Sequence, residues 1–363
     1  MRVPVLLGDG IGPEICAATV QVLERLNQLL GLGFVFETHQ IGLASLQSEG
    51  TTAPARVLSA CAEAEAIILG PISHADYPPR SAGGINVSAE LRTDLNLYAN
   101  IRPSRSREGL AHYGRTYMDL VIVRENTEGF YADRNMRLGS GEFMPTEDLA
   151  LAVRKISTEA SRRVAQAAFE LAQRRRKKVT AVHKANVLRV SDGLFLREVR
   201  KVAAEFPDVI YEEQLVDSMA ALLVRDAQRF DVVVTTNMFG DILSDEAAEL
   251  SGSLGLAGAI NAGDRQCVAQ AQHGSAPDLR DRDTANPCGL ILSAALLLEW
   301  LARHGPGRES FSRAAAALEE TVDSLLADPA RRTADLGGPL GTQAFARFLS
   351  EELERRLARP SRG

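Results

Sequence analysis

The run Asp231-Val-Val-Val-Thr-Thr236, followed at once by Asn237-Met-Phe-Gly-Asp-Ile-Leu-Ser-Asp245, constrains the fold more than any other stretch. An unbroken β-branched run predicts a strand covered on both faces, as in parallel sheets. The residues from Asp241 to about Ser253 predict a helix leaving that strand. Asp241 and Asp245 are four apart, so a helix sets both carboxylates on one face. Like charges at that spacing repel unless something positive lies between them. A hard divalent cation such as Mg²⁺ or Mn²⁺ is a natural candidate, because it takes carboxylate oxygens. An isolated acidic first turn, favoured by the helix dipole, is the plainer alternative.

The same alternation runs through the chain. Arg2–Leu7, Ala66–Leu69, Met118–Val123, Lys178–Val182 and Val209–Tyr211 read as strands. Helical stretches near 147–177, 190–205, 241–253 and 286–304 lie between or after them, and Ile15, Val22, Leu26, Leu29 and Leu30 mark one face of a first helix. This is the pattern of an α/β fold with covered sheets, and 363 residues suffice for two domains. Cys16, Cys61, Cys267 and Cys288 form no Cys-x-x-Cys and read as reduced thiols. No apolar stretch matches a membrane span. The first ten residues enter a strand and turn without a cleavable signal pattern, so a cytoplasmic chain is expected. A net charge of −6 argues against a general nucleic-acid binder. The basic run Arg174–Lys178 reads as a solvated helix end.

Four further segments carry chemistry. Gly8-Asp-Gly-Ile-Gly-Pro-Glu14 departs from the dinucleotide fingerprint, because Pro13 takes the third glycine position; by itself it is a tight strand-to-helix turn. Arg92, Arg102 and Arg124 sit in apolar or strand-like sequence, where lone guanidiniums are costly. They suit a substrate with two or three carboxylates, or internal pairing with Glu90, Asp94 or Glu125. His183-Lys184-Ala-Asn186 ends a strand, where a lysine near a metal can carry a proton. His273-Gly274-Ser275-Ala276-Pro277-Asp278 precedes Asn286-Pro287, a helix-start pair, and Asp278 could accept from a ribose diol.

Together with Asp217 and the Thr333–Gly338 and Gly341-Thr342 segments, this ordered set resembles the β-decarboxylating dehydrogenases: isocitrate, homoisocitrate, 3-isopropylmalate and tartrate/malate dehydrogenases. The resemblance implies a two-domain, non-Rossmann α/β fold. A discontinuous cofactor-loop domain would cover 1–98 plus 254–363, and 99–253 would carry the metal site, the dimer contact and an inter-subunit arm near 131–146. It implies a homodimer with shared active sites. Asp241 and Asp245 with the partner subunit's Asp217 would bind Mg²⁺ or Mn²⁺, the partner subunit's Lys184 would be the base, and Tyr131 the acid. Arg92, Arg102 and Arg124 would clamp the malate core. Ile11, Asn186, Asn237, Asn286 and the 273–278 turn would contact NAD. NADP members of the family place a basic residue where Asp278 stands, although Arg280 and Arg282 lie nearby.

The substrate of such an enzyme is a 3-substituted (2R)-malate. Asn86 and Ser88, six and four residues before Arg92, give a polar C3 pocket closest to isocitrate or homoisocitrate enzymes. The alternatives are 3-isopropylmalate and tartrate or D-malate, or a non-catalytic regulatory subunit. Glu90 is a departure that would either repel a third carboxylate or pair with an arginine.

Overall fold

The computed structural model describes residues 1–130, 141–304 and 309–358. The chain opens with β1 (Arg2–Leu6), α1 (Gly12–Leu30), β2 (Val35–His39), α2 (Gly42–Glu49), α3 (Ala55–Glu63), β3 (Ala66–Leu69) and α4 (Val87–Asp94). It continues through β4 (Ala99–Arg105), β5 (Asp119–Glu125), β6 (Glu142–Thr146), β7 (Leu149–Ala152), α5 (Thr158–Gln173), β8 (Lys178–His183) and α6 (Ser191–Glu205). Next come β9 (Ile210–Leu215), α7 (Val216–Asp226), β10 (Val232–Thr235) and α8 (Asn237–Ser251). It closes with β11 (Ile260–Ala262), β12 (Cys267–Ala269), α9 (Cys288–Arg303), α10 (Glu309–Ala327) and α11 (Thr342–Ala358).

Ten of these strands form one sheet in the order β2-β1-β3-β12-β11-β4-β5-β10-β8-β9. The two flanks are parallel, as the sequence pattern predicts, while β12-β11-β4-β5 run antiparallel to one another. The valine run explains itself in this setting. Val232 and Val234 point into the core beneath α5 and α6, and Val233 points into the core beneath α7 and α8. Successive side chains of a strand face opposite sides, so a strand covered on both must be apolar at every position. A separate core gathers α1, α9, α10 and α11.

Parallel β5, β10, β8 and β9 all end on the same edge, with Thr235 opposite Arg124 and His183 opposite Leu215. Arg124, Lys184, Asp217 and Asn237 therefore leave the sheet at the carboxyl ends of neighbouring strands, where open α/β sheets place ligands.

Three expectations need correction. Residues 149–152 are strand, paired with Glu142–Thr146 in an exposed hairpin apart from the main sheet; an alternating Leu-Ala-Leu-Ala had been read as helix. The helix after the valine run begins at Asn237, four residues before Asp241, so the aspartates sit in its second and third turns. The basic run is an ion-pair cluster: Arg175 bonds Asp119 and Asp231 at 2.7 Å each, and Lys177 bonds Asp208 at 3.0 Å.

Phe169 on α5 is fully buried between Phe206 and Tyr211. Phe169→Ala should lower the unfolding free energy by about 3–5 kcal/mol, measured by urea denaturation.

Candidate active site

Arg124 is the penultimate residue of β5, with its guanidinium turned onto the start of α8. Its Nε donates to the Asn237 carbonyl at 2.9 Å and Nη2 to Asn237 Oδ1 at 2.8 Å, while Nη1 bonds Asp241. Gly240 makes this approach possible, since a Cβ there would lie 2.7 Å from Arg124 Cβ and Cγ. Arg102 reaches the same place from β4. It donates to Asn100 Oδ1 at 2.5 Å and Ser244 Oγ at 2.7 Å, and lies 3.2 Å from Asp241 and 3.3 Å from Asp245. Both arginines are buried, and a buried guanidinium needs carboxylate partners. Those partners are Asp241 and Asp245, not Glu90 or Glu125. Glu125 accepts instead from Thr127 and Glu128. Glu90 makes a two-bond pair with Arg80, at 2.7 and 3.1 Å.

Asn86, Ser88, Arg92, Arg102, Arg124, Asp241, His273 and Gly274 line one cavity of about 230 Å³. Asn86 caps α4 by accepting from the Ala89 N–H at 3.0 Å. Ser88 is buried and donates to Gln270 at 2.9 Å. Asn100, Asn261, Gln270 and Gln272 share this wall and had not been singled out. Period-two alternation could have found Asn100, which shares the face of Arg102. Nothing local marks Gln270.

Lys184 and Asp217 lie outside that cavity, bonded to each other at 2.5 Å. The Lys184 hydrogen bond holds the Asp217 carboxyl below its usual range. The Lys184 N–H donates to buried Asp192 at 2.5 Å, and Asp192 pairs with Arg154, whose Nη2 reaches Thr236 at 2.9 Å. Arg154 thus links the Lys184 turn to the start of α8. Asn186 is exposed beyond it. Tyr131, and the arm up to Ser140, lie outside the described residues.

The 273–278 turn packs on the first glycine turn. The Ile11 N–H donates to the Ser275 carbonyl at 2.8 Å, and Ser275 Oγ lies 2.7 Å from Ser73 Oγ. Ala276 adopts φ +37°, which bends the chain into the short helix carrying Pro277 and exposed Asp278. Arg280 pairs with its neighbour Asp281 at 3.1 Å. Asn286 accepts from the Cys288 N–H at 2.9 Å, capping α9, and donates to Asp335 at 2.9 Å.

Asp241 and Asp245 offer the hard oxygen donors that Mg²⁺ or Mn²⁺ requires. Among the described residues, no group of three His, Cys, Asp or Glu side chains in this one chain could hold a metal. The two aspartates fit half of a site, and Asp217 is placed elsewhere. Burial, reinforced by Asp241, pushes the Asp245 carboxyl above its usual range despite Arg102.

Comparison with known proteins places the chain among the decarboxylating dehydrogenases, which are oxidoreductases. The model of isocitrate/isopropylmalate dehydrogenase matches residues 2–349. A 3-isopropylmalate dehydrogenase of Archaeoglobus fulgidus is 38% identical over 356 residues, covering 97% of this chain and 99% of that one. An isocitrate/homoisocitrate dehydrogenase of Thermus thermophilus is 40% identical over 355 residues, covering 97% and 98%. The crystal structure of isocitrate dehydrogenase from Methylococcus capsulatus superposes with a TM-score of 0.85 at 37% identity, covering 97% and 99%. The chain belongs to the isocitrate/isopropylmalate dehydrogenase family.

The two aspartates should respond oppositely to neutralisation. The fold raises the Asp245 pKa, so stability falls as pH climbs from the ordinary aspartate range through the raised value, and the cost is fully present above it. Asp245→Asn should therefore keep or raise Tm at pH 7 in metal-free protein. Asp241→Asn leaves two buried guanidiniums short of a partner and should cost about 1–3 kcal/mol. Differential scanning calorimetry in EDTA compares the two.

Proposed function

We propose that this enzyme oxidises and decarboxylates a 3-substituted (2R)-malate with NAD and Mg²⁺ or Mn²⁺, and that its preferred substrate is a tricarboxylate of the isocitrate or homoisocitrate type. The observation that carries this reading is the convergence of Arg92, Arg102 and Arg124 with Asn86 and Ser88 on one cavity. Three guanidiniums against Asp241 and Asp245 leave the wall net positive, which suits a substrate with several carboxylates. Glu90, bound to Arg80, brings no opposing charge to the lining. No leucine is among the described lining residues, so an isopropyl group would meet amides and a hydroxyl beside a small apolar patch of Ile72 and Ala89.

In this reading the arginines bind and orient the substrate carboxylates. The partner subunit's Lys184 accepts the C2 hydroxyl proton, and Tyr131 returns a proton to the product carbon. Asp241 and Asp245, with the partner subunit's Asp217, hold the metal. The bound metal supplies Lewis-acid stabilisation of developing negative charge on oxygen, and NAD supplies the hydride acceptor. Asp278 supports NAD over NADP, because a carboxylate accepts from ribose hydroxyls and repels a 2′-phosphate.

Shared sites in a homodimer are supported by two observations. Lys184 and Asp217 stand apart from the arginine cavity within one chain. Val190, Val187, Ile242 and Met144 are large apolar side chains exposed at 86%, 66%, 60% and 65%, apolar surface that a partner subunit would cover.

A second reading, 3-isopropylmalate as substrate, has support of its own. Relatives from Archaeoglobus fulgidus and Methanothermobacter thermautotrophicus named as 3-isopropylmalate dehydrogenases are 38% and 39% identical, and Ile72 and Ala89 line part of the cavity. The two readings separate in kcat/KM measured with NAD and Mn²⁺ over isocitrate, homoisocitrate, 3-isopropylmalate, D-malate and tartrate. We expect a tricarboxylate to lead; a clear preference for 3-isopropylmalate establishes the second reading.

Lys184→Met should cut turnover by roughly 10²–10⁴-fold, as should Tyr131→Phe. Unfolding and co-refolding Lys184→Met with Asp245→Asn should restore part of the activity, because mixed dimers regain one intact site. Wild-type turnover by the single variants removes these residues from the chemistry. Asp278→Lys should shift the kcat/KM ratio toward NADP, read from initial rates with each nucleotide.

A further inference from the structure

A second cavity, larger than the arginine cavity, lies elsewhere in the described structure. It measures about 470 Å³ and lies between the C-terminus of α5, the seam strands, α9 and α10. Strand alternation fixes its place. Ile101, Pro103 and Arg105 of β4, Val121 of β5 and Ile260 of β11 line it. Asn100, Arg102, Arg124 and Asn261, the alternate positions, line the smaller cavity. The two cavities therefore occupy opposite faces of the same strands.

Its chemistry is divided. The floor is apolar, built from Ile101, Pro103, Val121, Leu171, Leu256 and Leu296. Five arginines stand around it. Four have carboxylate partners: Arg105 with Asp323 at 2.5 Å, Arg107 also with Asp323, Arg175 with Asp119 at 2.7 Å, and Arg303 with Glu299 at 3.0 Å. Arg174, at the C-cap of α5, has no carboxylate within ion-pairing distance among the described residues. Desolvation and the nearby Arg303 charge lower its pKa, with Glu170 and Glu299 offsetting only part of that effect, so this solvent-exposed cation is short of counter-charge rather than without it.

The geometry points to a second ligand site on this face, for an amphipathic monocarboxylate: a hydrocarbon body on the apolar floor and its carboxylate on Arg174. The volume falls within the usual range for small-molecule sites, and a mostly apolar wall with a few directed polar groups is their ordinary composition. A bare inorganic anion would leave the floor unfilled, and an uncharged hydrocarbon would leave Arg174 with only the partial compensation of Glu170 and Glu299. The inference does not depend on which malate derivative the enzyme oxidises.

The probe is octanoate, with 1-octanol and inorganic phosphate as matched controls, titrated by calorimetry into the full-length protein. The one tryptophan, Trp300, adjoins Glu299 on α9 and reports fluorescence changes in the cavity wall. Arg174→Glu and Ala316→Phe alter exposed positions of the lining, so both should fold, as circular dichroism checks. We expect octanoate to bind with a Trp300 response, more tightly than either control. Arg174→Glu should weaken it at least about tenfold, without weakening octanol, and Ala316→Phe should block it by filling the cavity. Absence of octanoate binding up to about 10 mM, a range reaching below the weakest affinities of specific sites, overturns the inference. So does binding that survives both substitutions, which would place the probe elsewhere, as at the active-site arginines.

Discussion

Burial of Arg102 and Arg124 at the centre of the sheet is the constraint on which the site depends. Each guanidinium leaves water only because α8 presents a carbonyl, an amide, a hydroxyl and two carboxylates to it. The positive charge that two aspartates one turn apart require is thus supplied within the chain itself. A metal and a polycarboxylate substrate would divide these ion pairs between them, the metal taking the aspartates and the substrate the arginines. Binding both preserves the charge balance, whereas binding one leaves part of the other's partners exposed to desolvation.

A second polar chain positions groups from outside that cluster. Asp192, fully buried, receives the Lys184 N–H and pairs with Arg154, which also reaches Thr236 at the start of α8. One buried ion pair therefore orients both the lysine turn and the helix bearing the aspartates. Its removal would be felt at two places at once, because a buried charge left without its partner is expensive.

The first glycine turn is held by a comparable set of polar contacts. Asp9, in the first glycine turn, accepts from the N–H groups of Leu43 and Ser73 and from Tyr77, at 2.7, 2.9 and 2.5 Å. Gly10 lets that turn close on Ser275, since a Cβ there would meet its carbonyl oxygen at 1.9 Å. Asp335 links the Thr333–Gly338 segment to Asn286. Segments far apart in sequence converge because each satisfies another's backbone groups.

What the sequence by itself determined is the α/β class, the 231–236 strand with a helix after it, the arginine and aspartate candidates, and family membership. These rest on periodicity, which acts over a few residues, and on the order of motifs along the chain. Tertiary structure decided the rest. The seam β12-β11-β4-β5 runs antiparallel, and Ala262 and Cys267 bring so few residues to it that no local pattern signals their strands. Which acid meets which arginine was equally undecided: Glu90, two residues from Arg92, turns to Arg80, while Asp241 reaches Arg124 across 117 positions. Charge and spacing name the groups that need partners; only the path of the chain through space brings the partners within reach.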